Sequence, residues 1–153
     1  MATVTLRNAR PVDVPRLVEL LQHGALVEGK EDVSDAAAYS EALAEIQRTP
    51  GCAVLVAEVD GEVVGVCQVI VFRHFQQRGG RCAEVESMHV HPGHRGSGVG
   101  ARLLAGAVEV ARDAGCYRVQ LTSDRRRTGA HRFYERQGFV PSHLGFKLVL
   151  DPG

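Results

Sequence analysis

The run from residue 82 to residue 122 constrains the fold more than any other part of the sequence, because it reads as strand, glycine-rich turn, helix and strand. Apolar residues take helical spacing from Val99 and keep it to about Ala114, and Gly115 then predicts the end of that helix. A strand–helix–strand unit of this kind places its two strands parallel in one sheet, with a right-handed crossover. We therefore predict a sheet that contains a parallel pair.

A hairpin signal earlier in the chain makes the predicted sheet a mixed one. The apolar run from Cys52 to Val59 is followed by Asp60-Gly61, a strong tight-turn signal, and the chain returns over residues 62–72. The other predicted elements are a strand at 3–7, helices at 11–24 and 34–48 with Ser34 as N-cap, a loop at 73–81, a helix at 128–137 and a final strand at 145–150. The predicted order is β-α-α-β-β-β-α-β-α-β, an α/β fold with helices on the faces of a mixed sheet.

Length and composition fit one globular domain over residues 1–153, with 44% apolar and 24% charged residues. No apolar run reaches the roughly 18 residues that span a bilayer, and the N-terminus lacks the pattern of a secretory signal. We therefore predict a cytoplasmic protein without a membrane partner. The formal net charge of +0 argues against a nucleic acid as partner, since proteins that bind nucleic acids usually carry a basic surface.

The glycine-rich turn Arg95-Gly96-Ser97-Gly98-Val99-Gly100 is the first candidate binding site. Glycines let a backbone approach a ligand closely, and the N–H groups of the helix that follows attract anions. A nucleotide P-loop needs Gly-Lys-Ser/Thr after the glycines, and a dinucleotide fingerprint needs a different glycine spacing in an opening strand–helix–strand unit. The turn alone leaves two readings open, a phosphate site and a connector without a ligand.

Two separate blocks of sequence resemble the GNAT N-acetyltransferase superfamily. Residues 90–104, Val-His-Pro-Gly-His-Arg-Gly-Ser-Gly-Val-Gly-Ala-Arg-Leu-Leu, match its coenzyme A motif, with Arg95, Gly98 and Gly100 in the defining positions. Residues 130–139, Ala-His-Arg-Phe-Tyr-Glu-Arg-Gln-Gly-Phe, look like its Ala-x-x-Phe-Tyr-x-x-x-Gly-Phe segment. The predicted order of elements also agrees over essentially the whole chain. The resemblance implies a GNAT-type fold and acetyl-CoA as cosubstrate.

The resemblance also implies where the coenzyme is held. Its pyrophosphate is expected on the backbone amides of the turn, formed by Arg95, Gly96, Ser97, Gly98, Val99, Gly100 and Ala101. In the family the strand before this turn is bulged and splays away from the strand after the helix, and the pantetheine arm lies along the freed edge. The matching positions are Met88, His89 and Val90, and a freed amide near Met88 or His89 would bind the developing oxyanion.

By the same resemblance, Tyr134 is the expected general acid that gives a proton to the departing thiolate and also lines the coenzyme site. The acceptor amine needs a base, and Glu84 and Glu86 share one face of a largely apolar strand. We favour Glu86, with Glu84 as the second candidate. A carboxylate that is solvated or binds substrate without moving a proton is the alternative for either residue.

The resemblance leaves the acceptor and two other features open. Many relatives carry Asn, which contacts the coenzyme arm, at the position of Arg127. The basic cluster 125–127 would here either meet the 3′-phosphate or face water. The acidic residues between the first two helices, Glu28, Glu31, Asp32 and Asp35, would suit a cationic acceptor or simply be solvated. Dimers are common in the family, so a homodimer is expected.

No metal site is predicted. The cysteines Cys52, Cys67, Cys82 and Cys116 form no Cys-x-x-Cys pair and are interpreted as small buried residues. His89 and His91 share a strand face near His94, but histidines occur there in the family without a metal. The predicted function is N-acetyl transfer from acetyl-CoA to a small amine in a ternary complex. The alternatives are a silent coenzyme A-binding regulatory module and a peptide or protein N-acetyltransferase.

Overall fold

The computed structural model describes residues 3–150, and residues 1–2 and 151–153 at the ends of the predicted domain lie outside that range. The strands are β1 (Val4–Asn8), β2 (Ala53–Val59), β3 (Glu62–Arg73), β4 (Arg81–Val90) and β5 (Cys116–Gln120). The helices are α1 (Val14–Gly24), α2 (Ala36–Arg48), the single turn α3 (Gln76–Gly79), α4 (Val99–Asp113) and α5 (Thr128–Arg136). Short 3₁₀ turns at Pro11–Asp13 and Pro92–His94 precede α1 and the glycine turn.

The five strands form one sheet in the order β1-β2-β3-β4-β5. The first three neighbouring pairs are antiparallel and β4 pairs parallel with β5, which confirms the predicted mixed sheet and its parallel pair. The turn between β2 and β3 has φ values of 51° at Asp60 and 82° at Gly61, the left-handed backbone that the Asp-Gly pair predicted.

Helices cover both faces of the sheet because successive residues of β2 point to opposite sides. Val54 and Val56 belong to a buried cluster with apolar residues of α1 and α2, including Leu17, Val18, Leu20 and Leu43. On the other face, a Cβ added to Gly106 of α4 would lie 2.6 Å from Leu6 Cδ1, so α4 approaches β1 closely there. The face of α4 predicted to be apolar is buried at Val99, Leu103, Leu104, Ala107 and Ala111.

An ion-pair network ties the start of α1 to the first two strands. Arg7 Nη1 lies 2.7 Å from Asp13 Oδ2, and Arg7 Nη2 lies 2.6 Å from Glu58 Oε1. Asp13 Oδ2 also accepts from the backbone N–H of Arg10 at 2.7 Å, and only 8% of the Asp13 side chain is exposed. The bond from Arg7 holds the pKa of Asp13 below its ordinary value, although burial opposes that shift.

The interpretation of the cysteines holds for two of the four. Cys67 and Cys82 are fully buried, while Cys52 and Cys116 are half-buried, and none of the four is in a disulfide. Burial raises the pKa of the Cys67 thiol to about 12, so this group stays protonated.

Two sequence predictions of local structure are wrong. Helix α2 begins at Ala36 with Asp35 as its cap, because Asp35 Oδ1 accepts from Ala38 N, whereas the Ser34 hydroxyl donates to Asp32. The final strand predicted at 145–150 does not form, since those residues have no ladder partner, and Phe146 and Leu148 are 90% and 87% exposed.

The described chain divides into two compact units, the first ending at Leu121 and the second beginning at Thr122. The first contains the sheet, and the second contains α5. A single domain over residues 1–153 remains a prediction. None of the helices within residues 3–150 is long and apolar enough to cross a membrane.

Candidate active site

The glycine turn presents open backbone donors where α4 begins. Gly96 and Gly98 have φ values of 76° and 87°, and Gly98 is the N-cap residue, with no side chain capping the helix. The N–H of Arg102 bonds to Gly98 O at 3.0 Å, so the three amides that follow Gly98 precede the regular helical bonding. Apart from the adjoining residues, no atom of residues 3–150 lies within 4 Å of a Cβ built on Gly96 or Gly98, so there is open space beside these two glycines.

Side chains on either side of the turn hold its shape. His91 Nδ1 accepts from Gly93 N at 3.2 Å, and the Ser97 hydroxyl donates to His94 O at 2.6 Å. Arg95 Nε donates to Val90 O at 3.1 Å, which ties the turn to the last residue of β4. The Arg95 side chain therefore supports the loop.

A β-bulge interrupts β4 just before the turn. Glu86 pairs with Gln68 and His89 with Val66, so that Ser87 and Met88 together face the single residue Cys67. Ser87 adopts a φ of 50°, a left-handed conformation rare for residues other than glycine. The bulge that was expected around Met88, His89 and Val90 is thus present, and it lies at Ser87 and Met88, with the left-handed residue at Ser87. The extra residue of a bulge leaves the hydrogen-bond ladder, which frees backbone groups at this point.

The two parallel strands separate beside the bulge, as expected. Pairing between β4 and β5 runs from Arg81 with Cys116 to Glu84 with Gln120. Strand β5 ends at Gln120, whereas β4 continues to Val90. The last part of β4, which includes Met88, His89 and Val90, therefore has no β5 partner. An extended ligand could add to such an edge by backbone hydrogen bonds.

The two candidate carboxylates of β4 have different surroundings. Glu84 Oε2 accepts from Gln120 Nε2 at 2.7 Å, and Cys82 Sγ donates to Gln120 Oε1 at 3.5 Å. Glu84 is half-buried, whereas Glu86 is exposed and immediately precedes the bulge. Gln120 was absent from the sequence predictions, because a polar residue inside a short strand carries no signal until the register is known.

Tyr134 lies in the second unit, half-buried on α5. Its ring meets the rings of Phe133 and Phe139 edge-on, with centroids 5.2 and 6.0 Å away. Its carbonyl oxygen accepts from both Gln137 N and Phe139 N at 3.0 Å, and Gly138 has a left-handed conformation with φ 89°. The Phe-Tyr-x-x-x-Gly-Phe segment therefore packs as one local unit around the helix end.

The basic cluster at 125–127 is partly used inside the second unit. Arg126 makes a bidentate bond to Asp124, with both distances 2.9 Å, and this bond lowers the pKa of Asp124. Arg127 is the residue that precedes α5. Arg126 therefore cannot meet a phosphate without breaking this ion pair.

Most of the acidic residues between α1 and α2 have local structural tasks. The Tyr39 hydroxyl donates to Glu31 Oε2 at 2.7 Å, Asp32 accepts two bonds from Ser34, and Asp35 caps α2. Glu28 is exposed. These bonds account for three of the four acids without an acceptor. Among residues 3–150 no group of three or more His, Cys, Asp or Glu side chains is placed to hold a metal ion.

Comparison with known proteins shows which part of this chain is similar to a known family. The family described as "Acetyltransferase (GNAT) family" matches residues 16–139. An aminoalkylphosphonate N-acetyltransferase of Salmonella typhimurium is 37% identical over 91 residues, which are 60% of this chain and 58% of that protein. The chain thus spans less than two thirds of that relative.

A longer match and a solved structure extend the comparison. The L-amino acid N-acyltransferase MnaT of Escherichia coli is 29% identical over 139 residues, covering 90% of this chain and 80% of that protein. A crystal structure from Bacillus halodurans, described as a transcriptional regulator, is 33% identical with a TM-score of 0.91, covering 97% of this chain and 100% of the other. The similarity therefore includes both the glycine turn and the Tyr134 segment.

Proposed function

Because this chain belongs to the GNAT acetyltransferase family, we propose that it transfers the acetyl group of acetyl-CoA to the primary amine of a small molecule, by direct attack in a ternary complex. The observation that carries this proposal is the open glycine turn placed directly after a bulged strand end. The turn suits a diphosphate, and the strand edge suits the amide-bearing pantetheine arm.

The residues of the turn fit a diphosphate chemically. Backbone N–H groups at a helix N-terminus carry a partial positive charge and stabilise an anion without a long side chain. The positions of Gly96 and Gly98 have open space where a side chain would otherwise stand. Binding here would place the thioester end of the coenzyme along β4 toward the bulge.

The proposed reaction needs one proton removed and one supplied. The acceptor nitrogen attacks the thioester carbonyl carbon and forms a C–N bond. The C–S bond then breaks, so that the acetyl group ends on nitrogen as an amide and coenzyme A leaves as a thiolate. Glu86 takes the proton of the amine, directly or through water, and Tyr134 gives a proton to the departing sulfur. A backbone N–H freed by the bulge near Met88 stabilises the oxyanion, an effect worth about 3 kcal/mol.

Glu86 is the better candidate base for a physical reason. The Glu84 side chain lies in the region where β4 and β5 are still paired, and it accepts a hydrogen bond there from Gln120 across the two strands. Glu86 lies beyond the last β4–β5 pair and is exposed, so an acceptor amine or a water molecule can reach it. We therefore propose Glu86 as the base and assign Glu84 to holding β4 and β5 together.

The acceptor is proposed only as a small primary amine. The two curated relatives are named for an aminoalkylphosphonate and for L-amino acids, in which an amine and an acid group share one molecule. A cationic acceptor receives less support from the structure than from the sequence, since Glu31, Asp32 and Asp35 are engaged locally. An amine panel that contains aminophosphonates, amino acids, polyamines and aminoglycosides separates these classes. A homodimer and a cytoplasmic location remain predictions.

The proposal is tested by a pair of glycine variants at the two ends of α4. Gly98 and Gly115 both have positive φ, 87° and 71°, and both have open space at the Cβ position. Alanine at either site should cost a similar amount of backbone energy, about 1–2 kcal/mol. Gly98→Ala should raise the Kd for acetyl-CoA roughly tenfold or more, whereas Gly115→Ala should leave it unchanged, as measured by calorimetry. No heat on adding acetyl-CoA to the unmodified protein would refute the proposal.

A regulatory module that binds coenzyme A without turnover is the second candidate. It is favoured by the description of the Bacillus halodurans protein as a transcriptional regulator. A thiol-release assay with the amine panel distinguishes the two functions. Coenzyme binding without thiol release on any amine would support the regulatory function, and amine-dependent release would support the enzyme.

A further inference from the structure

Three histidines lie together where β4 ends and the glycine turn begins, and we call them the histidine cluster (His23, His91 and His94). The ring of His91 lies edge-on to His23 of α1, with centroids 5.4 Å apart, and edge-on to His94, with centroids 5.9 Å apart. His91 also caps the short turn Pro92–His94 through its bond from Gly93 N. The cluster thus joins α1 to the segment that leads into the glycine turn.

The surroundings of His91 are positively charged. Arg16 and His23 of α1 and His94 and Arg95 of the turn all act on it electrostatically. Arg16 in turn is paired with Glu19 of α1, at 2.9 Å. Within residues 3–150 no ion pair joins a carboxylate to Arg95 or to the histidine cluster. Partial burial, followed by these positive charges, lowers the pKa of His91.

The hydrogen bond at His91 shows which ring nitrogen carries no proton. Gly93 N donates to Nδ1, so this nitrogen carries no proton and the neutral ring holds its proton on Nε2. Protonation would place a second proton on Nδ1, which could then no longer accept from Gly93. The cap would open, and the cluster would gain an Nδ1–H and a released Gly93 N–H. Both are donors, and an anion is the ligand that would use them.

We infer that phosphate groups bound at the glycine turn draw a proton onto His91, so that the histidine cluster is a proton-dependent part of the coenzyme site. This inference rests on the proposed function. Negative charge beside the cluster offsets the repulsion from Arg16 and Arg95 and favours the charged imidazole. Coenzyme binding then takes up a proton, and the affinity rises as pH falls until His91 is already protonated in the free protein.

The test uses dephospho-coenzyme A, whose diphosphate has no group that titrates near neutrality. Calorimetry between about pH 5.5 and about pH 8 should show affinity falling roughly three- to tenfold toward the higher pH. Repeating the measurement in buffers of different ionisation enthalpy should show net proton uptake.

Two asparagine variants make the test specific. In His91→Asn the amide oxygen can still accept from Gly93 N, so the turn keeps its cap but loses the titrating group. This variant should bind with little pH dependence and no proton uptake. His74→Asn, which lies in the β3–β4 connection at the other end of β4, should behave as the unmodified protein does.

The outcomes separate this inference from the proposed function. Equal affinity at both pH values, or proton uptake that persists in His91→Asn, would overturn the role of the histidine cluster while leaving coenzyme binding intact. Absence of binding to both acetyl-CoA and dephospho-coenzyme A at every pH would overturn the proposed function as well.

Discussion

The hydroxyl of Tyr134 has one proposed chemical role, the donation of a proton to the departing thiolate. Its removal should therefore slow that step. In Tyr134→Phe the ring can keep its edge contacts with Phe133 and Phe139, so the local packing of α5 should persist. We expect kcat to fall roughly 10- to 1000-fold because the thiolate must leave without its proton donor, with the Kd for acetyl-CoA nearly unchanged. Steady-state kinetics together with calorimetry measure both quantities.

Tyr117→Phe is the control for that prediction. It also removes a phenol oxygen, one that bonds His74 in the first unit, and it should leave kcat unaltered. A kcat for Tyr134→Phe within twofold of the unmodified value would remove the acid role from Tyr134.

The candidate site residues could be predicted from the sequence where they belong to a local motif. The contacts between residues far apart in the sequence could not. The turn glycines, Glu86 and Tyr134 follow from local patterns. The bond between Glu84 and Gln120 joins residues that are 36 positions apart, and it exists only because the parallel register places them opposite each other. Ser34 was predicted as the N-cap of α2, although Asp35 is equally suited to that position. The tertiary structure decides between them, because Ser34 bonds back to Asp32 while Asp35 accepts from Ala38 N.

At the scale of elements, α1 packs closely against the bulged end of β4 because Gly24 has no side chain. A Cβ on Gly24, the last residue of α1, would lie 1.8 Å from the Nδ1 atom of His89. Alanine favours a helix over glycine by about 1 kcal/mol, but a contact this short forces the His89 ring to move. Gly24→Ala should therefore lower the free energy of unfolding by about 1–3 kcal/mol and also lower kcat, as measured by urea titration and steady-state assay.

Gly129→Ala provides the matched substitution in another helix. Gly129 lies in α5, and the nearest atom to its added Cβ is the end of the Arg132 side chain at 3.9 Å. This variant should be neutral or slightly stabilising. If Gly24→Ala were equally neutral, the proposed link between α1 and the strand end would be wrong.

The elements themselves were largely predictable, since hydrophobic periodicity and turn residues depend on the local sequence. The structure agrees with the sequence predictions for the β2–β3 turn, for α4 and for the end of α4 at Gly115. The final strand failed for a non-local reason. The local sequence at 145–150 is compatible with an extended chain, but a strand also needs a neighbouring strand to pair with, which the local sequence does not specify.

For the molecule as a whole, the buried ion pair between Arg7 and Asp13 makes the free energy of unfolding depend on pH in the acidic range. The pKa of Asp13 is lowered from an ordinary value of 3.8 mainly by the bond from Arg7, so the unfolded chain binds its proton more readily than the folded one. The contribution is complete above about pH 4 and is lost as pH falls through the lower, folded value.

Asp13→Asn should therefore cost about 2 kcal/mol at neutral pH, and the difference from the unmodified protein should shrink below about pH 4. Urea unfolding at several pH values gives this comparison. A difference that stays constant with pH would mean that the charge of Asp13 does not contribute to the folded state.

The left-handed backbone at Ser87 limits which sequences can keep this site. A residue with a φ of 50° is best replaced by glycine, asparagine or aspartate, and β-branched side chains fit it poorly. A valine or isoleucine at this position would favour regular pairing with β3 and would straighten the strand beside Met88. Ser87 is assigned no part in proton transfer, yet the range of side chains it tolerates should be nearly as narrow as that of the groups that react.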